Sequence, residues 1–141
     1  MDFTAFNERM ITDDSIRLYG VGKEILGYEF NLRYPTYRGT WVCNIEKLAV
    51  EVDGETVPQK DLRFGVNGKW FLLSEIKELY KEYWFTTAKA NIRVMKDGGL
   101  TKNRKHKIAV QMDHKIPYTG YFGNFLVVHS DCTKNLPVER S

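Results

Sequence analysis

Three histidines, His106, His114 and His129, are the residues of this chain whose type first suggests a metal or an acid/base centre. His106 and His114 fall on one face of an alternating run from His106 to Ile116, with Ile108, Val110 and Met112 between them. Eight residues on a strand span roughly 26 Å, so these two cannot grip one ion unless the strand folds back. His129 has no paired carboxylate or cysteine at ligand spacing, and no metal site is expected in this chain. Cys43 and Cys132 stand far apart without a Cys-x-x-Cys pairing, which removes a redox motif and a zinc knuckle and leaves two buried thiols as the expectation. The chain has no Gly-x-Ser-x-Gly elbow, no Cys/His pair with an orienting acid and no glycine-rich phosphate loop. Glu46, Glu51, Asp53 and Glu55 surround a hairpin, where acids serve solubility. No complete catalytic set is present, and the chain alone is expected to perform no reaction.

Aromatic surface remains. Tyr34, Tyr37 and Trp41 lie beside Pro35, Arg38 and Gly39, and a second display segment holds Tyr118, Tyr121 and Phe122 between Pro117 and Gly123. Three uses are open for these rings: stacking on a sugar or a flavonoid-like ring, docking onto a partner protein, or closing the ends of a β-sandwich.

The elements that must position these residues are mostly strands. Leu26, Tyr28, Phe30, Leu32 and Tyr34 alternate with Glu29, Asn31 and Arg33, the period of a strand with one buried face, and Pro35 ends that ladder because it has no N–H to donate. Leu48, Val50 and Val52 form the next alternation. Asp53-Gly54 and Asn67-Gly68 supply the positive-φ pairs that tight hairpins demand, on either side of a strand at Leu62, Phe64 and Val66. One α-helix is predicted over about 74–84, with Ser74 as N-cap, Glu75 in the first turn and Ile76, Leu79, Tyr80, Tyr83 and Trp84 at three- and four-residue intervals. Ala88, Ala90, Ile92 and Val94 alternate next, and Asp97-Gly98-Gly99 turns the chain. Phe125–His129 and Cys132–Val138 read as two closing strands, while Phe3, Phe6, Met10 and Ile11 lie across a neighbouring surface. The fold expected is mainly β: a single antiparallel β-sandwich domain, 1–141, with one short α-helix over one end.

At 141 residues the chain can bury a core without a staple. Its 43% hydrophobic and 28% charged residues are those of a soluble domain, and no apolar run approaches the ~20 residues of a membrane span. Acids precede any apolar stretch at the N-terminus, unlike a signal peptide, so a cytoplasmic location is the default. A net charge of +3 is too small to imply nucleic acid, and Lys102, Arg104, Lys105 and Lys107, with no aromatic among them, read as a solvated hairpin tip.

The order of these segments carries a resemblance. Arg33-Tyr34-Pro35-Thr36-Tyr37-Arg38-Gly39, the hairpin Val52-Asp53-Gly54-Glu55, Leu62-Arg63-Phe64 with Asn67-Gly68-Lys69, then Glu75 to Tyr80 and Tyr83-Trp84, resemble the small β subunit of bacterial C-glycoside deglycosidases, over roughly Asp14 to Ile116. The resemblance implies a heteromeric enzyme in which this chain is the non-catalytic partner of a large, TIM-barrel α subunit. That subunit would hold a divalent metal, expected to be manganese, and a general base; no cofactor falls to this chain. The implied substrate is a 3-oxo-C-glycoside with a flavonoid or other aromatic aglycone, cleaved at its C–C glycosidic bond by β-elimination. Tyr34, Tyr37, Arg38, Gly39 and Trp41 would then contact the large subunit, and Tyr118, Tyr121 and Phe122 would reach its active-site mouth. The alternative is a stand-alone carbohydrate- or polyphenol-binding β-sandwich.

Overall fold

The computed structural model describes residues 8–36, 39–116 and 126–140. In chain order the strands are β1 (Ile16–Val21), β2 (Glu24–Leu32), β3 (Thr40–Trp41), β4 (Ile45–Val52), β5 (Glu55–Thr56), β6 (Leu62–Val66), β7 (Lys69–Leu72), β8 (Tyr83–Trp84), β9 (Ala90–Met95), β10 (His106–Ile116), β11 (Leu126–Leu136) and β12 (Val138–Arg140). Among the described residues they form a six-stranded sheet in the order β12-β1-β2-β9-β6-β7, a four-stranded sheet β11-β10-β4-β5, and the short pair β3-β8. The protein is mainly β, as its alternations predict.

Those alternations set which faces meet. Tyr28, Phe30 and Leu32 of β2, Ile92 and Val94 of β9 and Phe64 of β6 share one buried cluster with Leu48 and Val50 of β4 and with Ile108, Val110 and Met112 of β10. Two sheets pressing their apolar faces together in this way are a sandwich. The predicted turns are present: Asp53 and Gly54 have φ of 52° and 85°, and Asn67 and Gly68 have φ of 55° and 76°. Met10 and Ile11 are wholly buried, and Ile11 bridges Leu32, so these two lie against a neighbouring surface, while Phe3 and Phe6 fall outside the described residues.

Three details differ from the sequence reading. The α-helix over 74–84 does not form: a 3-10 helix covers Leu73–Glu78, and Tyr83–Trp84 pairs as β8 with β3. Tertiary hydrogen bonds claim the chain beyond Leu79, where the Val42 N–H donates to the Glu82 carbonyl at 2.8 Å and the Asn67 side-chain amide to the Tyr83 carbonyl at 2.9 Å. Secondly, the two closing strands are one, because β11 pairs with β10 without a break from Leu136↔His106 to Leu126↔Ile116. Thirdly, one pairing is parallel. At Pro137 the chain passes from the four-stranded sheet to the six-stranded one, the Pro137 carbonyl accepts from Ile16 N–H at 2.8 Å, and β12 lies parallel to β1.

Candidate functional site

Of the aromatic residues singled out by type, the structure describes Tyr34 and Trp41, which lie at one end of the sandwich, the first in a buried layer and the second in an exposed one. Tyr34 belongs to the buried layer, at 4% exposure. Its ring lies 5.4 Å from Trp84 and 5.0 Å from the ring of His114, and its hydroxyl is 2.7 Å from His114 Nδ1. The other ring nitrogen, Nε2, is 2.9 Å from Ser130 Oγ. Burial pushes the His114 pKa down from 6.5 to about 4. The neutral ring carries one N–H and one lone pair, so one hydroxyl accepts from it and the other donates to it. Tyr34 therefore packs beneath this end, its ring against Trp84 and His114.

Above that layer lie Trp41, Tyr83 and Phe85. Trp41 is 44% and Phe85 57% exposed, whereas Trp84, between Tyr83 and Phe85, is fully buried. The strand period turns Tyr83 and Phe85 outward as it turns Trp84 in. Trp41 and Tyr83 meet edge to face at 5.1 Å, and Tyr83 and Phe85 at 4.9 Å. Gly39 makes the close approach possible, but within the chain: a Cβ there would lie 2.3 Å from the Trp84 carbonyl oxygen and 2.8 Å from Tyr83 Cε2. Glu82 borders the trio with its carboxyl held below the usual range by hydrogen bonds from Lys69 at 2.6 Å and Asn67 at 3.2 Å. Such a face of stacked, partly exposed rings is suited to burying area against another molecule at little entropic cost.

Tyr37, Arg38, Tyr118, Tyr121 and Phe122 lie outside the described residues. Sequence reasoning missed Phe85 and placed Tyr83 in a helix, although three consecutive aromatics, Tyr83-Trp84-Phe85, signal a strand with rings on both faces.

The histidines are not brought together. His106 is buried, with Nδ1 2.6 Å from Asp53 Oδ2 and Nε2 2.9 Å from the Thr101 carbonyl oxygen. His129 is on the outer face of β11 beside Asp113, with Asp131 3.7 Å away. Among the described residues no three His, Cys, Asp or Glu side chains gather as metal ligands, and no helix is long and apolar enough to cross a membrane. Cys132 is buried and Cys43 half-buried, both as free thiols, and burial pushes the Cys132 thiol up. In the basic tip, Arg104 is tied to Asp53 at 3.1 Å.

Fold and site together define a β-sandwich module with partly exposed rings at one end. The chain belongs to the family of C-glycoside deglycosidase beta subunits, whose model matches residues 6–118. Relatives bearing that same name include one from Eubacterium cellulosolvens, 30% identical over 79 residues, covering 56% of this chain and 54% of the relative. Another, from Arthrobacter globiformis, is 27% identical over 77 residues, with 55% and 58% covered. The chain thus spans little more than half the length of these two relatives. A third, from Microbacterium trichothecenolyticum, is 27% identical over 111 residues and covers 79% of each chain.

Proposed function

We propose that this chain is the non-catalytic β subunit of a heteromeric C-glycoside deglycosidase, and that it docks onto its large subunit through the end bearing Trp41, Tyr83 and Phe85. The family match over residues 6–118 carries the reading. The exposed ring trio, fixed in place by Gly39 and by the β3–β8 pairing, supports the choice of face. In this proposal Tyr37 and Arg38, which stand between Thr36 and Gly39 in the sequence, take part in the contact with the large subunit, and Tyr118, Tyr121 and Phe122 contribute at the active-site mouth.

The chemistry belongs to the partner, a TIM-barrel protein with a divalent metal, in this proposal manganese, and a general base. On a 3-oxo-C-glycoside the ketone acidifies the neighbouring C2–H, the base removes that proton, and elimination forms the C1–C2 double bond as the C–C glycosidic bond breaks and the departing aglycone carbon takes up a proton. A divalent metal held by the partner would supply stabilisation of the enolate charge. This subunit stabilises the large one and shapes the mouth through which an aromatic aglycone enters. A cytoplasmic bacterial setting fits that role.

Co-expression with the large subunit tests the reading. The pair should co-elute and cleave an oxidised C-glycoside, and the β chain alone should be inactive. Trp41→Ala with Phe85→Ala should weaken assembly by ~2 kcal/mol or more, as loss of central aromatic anchors does. A double variant that assembles as tightly as the parent would remove this face from the interface, and a chain that stays monomeric beside the large subunit would overturn the proposal.

A further inference from the structure

Between the two sheets, at the end away from the aromatic trio, a cleft of about 410 Å³ opens. Its size falls within the range of small-molecule sites. Val52 and Val57 form one wall, Val94 and Leu100 the other, and Tyr28 reaches it from β2. Tyr28 is 1% exposed, with its ring in the core, and it lines the cleft. A tyrosine hydroxyl both donates and accepts, so a molecule in the cleft meets a donor and an acceptor on Tyr28. Burial, and to a smaller extent the charge of Asp53, push the Tyr28 hydroxyl well above its ordinary pKa, which keeps it neutral.

The rim mixes signs. Glu55 and Asp61 offer carboxylates, Lys96 an ammonium, and Asp53 is already held by Arg104 at 3.1 Å and His106 at 2.6 Å. An anion would face Glu55 and Asp61, and a cation Lys96 and Arg104. A hydroxyl both donates and accepts, so a neutral molecule with several of them satisfies acids and bases on the same rim. The wall bearing Leu100 is fixed in advance. Lys96 N–H donates to the Leu26 carbonyl at 2.9 Å and Gly98 N–H to the Ile25 carbonyl at 3.0 Å. Gly99, at φ 64°, packs so closely that a Cβ would stand 2.7 Å from Leu18 Cδ2.

We propose that this cleft is a binding site for a neutral cyclic polyol of monosaccharide size, with the Tyr28 hydroxyl at its floor and Glu55, Asp61 and Lys96 at its rim. Binding there does not depend on the large subunit. Trp41 precedes the start of β4 and Val52 is its last residue, and the eight residues of β4 span roughly 23 Å, so docking at the ring trio leaves the cleft open.

Ligand-observed NMR and calorimetry on the full chain, without the large subunit, test it with methyl β-D-glucopyranoside, myo-inositol, D-glucuronate and D-glucosamine. At least one neutral polyol should bind in the millimolar range, and both charged sugars more weakly. Tyr28→Phe keeps the ring and removes the hydroxyl, and should weaken binding at least fivefold. Leu100→Trp should fill the cleft and abolish binding, while Tyr28→Phe decides the matter should the larger residue unfold the chain. No binding of either neutral probe at tens of millimolar would overturn the proposal. So would tighter binding of glucuronate or glucosamine, or an unchanged affinity in Tyr28→Phe.

Discussion

Acid should unfold this chain earlier than its carboxylates alone require, because His114 cannot take up a proton without losing its place. The ring is fully buried, flanked by the Tyr34 and Ser130 hydroxyls, and its pKa is pushed from 6.5 down to about 4 by burial. In the unfolded chain the same histidine titrates near its ordinary value. Between pH 6.5 and 4 the unfolded state therefore binds more protons than the folded one, and stability falls as pH falls through that window. The full contribution is present above 6.5 and gone by about 4. At 1.36 kcal/mol per pKa unit the loss approaches about 3 kcal/mol, a large share of the ~5–15 kcal/mol that holds a domain together.

The carboxylates act lower. Asp14 is held below its usual range by hydrogen bonds from Lys89, Thr12 and Asn31. For Asp53, burial pulls upward, but hydrogen bonds from His106 and the Lys107 N–H outweigh it. The stability these acids contribute is lost only as pH falls below about 3.8, the ordinary aspartate value. Urea unfolding at steps from pH 7 to 4 separates the two. The parent chain should lose about 3 kcal/mol across the window and His114→Gln, which has no charge to gain, under ~1 kcal/mol. Parallel pH profiles for the two proteins would refute the reasoning.

Other substitutions follow from the same geometry. Tyr34→Phe leaves a ring nitrogen of His114 without its 2.7 Å partner in a dry site, and should cost about 1–3 kcal/mol by chemical denaturation. Gly39→Ala drives a Cβ to 2.3 Å from the Trp84 carbonyl oxygen, so β3 and β8 must part; near-ultraviolet circular dichroism should lose tryptophan signal and the melting temperature should drop. Asp53→Ala takes from His106, Arg104 and the Lys107 N–H their shared acceptor, and leaves His106 Nδ1 buried without one. A loss of ~2 kcal/mol with faster amide exchange at Lys107 is expected, against ~0.5 kcal/mol for Arg104→Ala on the exposed side.

What was legible in the sequence follows the range of the forces involved. The alternation of His106, Ile108, Val110, Met112 and His114 fixes their shared buried face, because a strand's period is local and the apolar demand is strong. Asp53-Gly54 and Asn67-Gly68 were equally readable, since positive φ is a property of the turn itself. The region 74–84 was not. Its spacing matches a helix as far as Glu78, but the competition beyond is won by Asn67, Val42 and Lys69, which reach Tyr83 and Glu82 from elsewhere in the chain. Tyr34 shows the same limit from the other side. Its alternation assigned it to the core face, where it is buried, while its contact with His114, distant in sequence, was not readable from its neighbours Pro35 and Arg38.

The layer beneath the rings bears on the proposed docking. Interface rings contribute most when they are already held where the partner needs them, since each side chain immobilised on binding costs about 0.5–1.5 kcal/mol. Trp41 and Tyr83 are held by edge-to-face contact, by backbone pairing of β3 with β8 and by the approach that Gly39 permits. Beneath them Trp84 is wedged between Tyr34 and Phe64, at 5.4 and 5.5 Å, and Tyr34 is pinned through His114 to Ser130 on β11. The six-stranded sheet, the four-stranded sheet and the β3–β8 pair thus all feed one support. Under the proposed docking, loosening this support at His114, a ring wholly buried within the chain, should weaken assembly, so His114→Gln should reduce it less than Trp41→Ala but in the same direction. Assembly unchanged in His114→Gln, with the folded state intact, would mean that the rings hold their positions without the layer below.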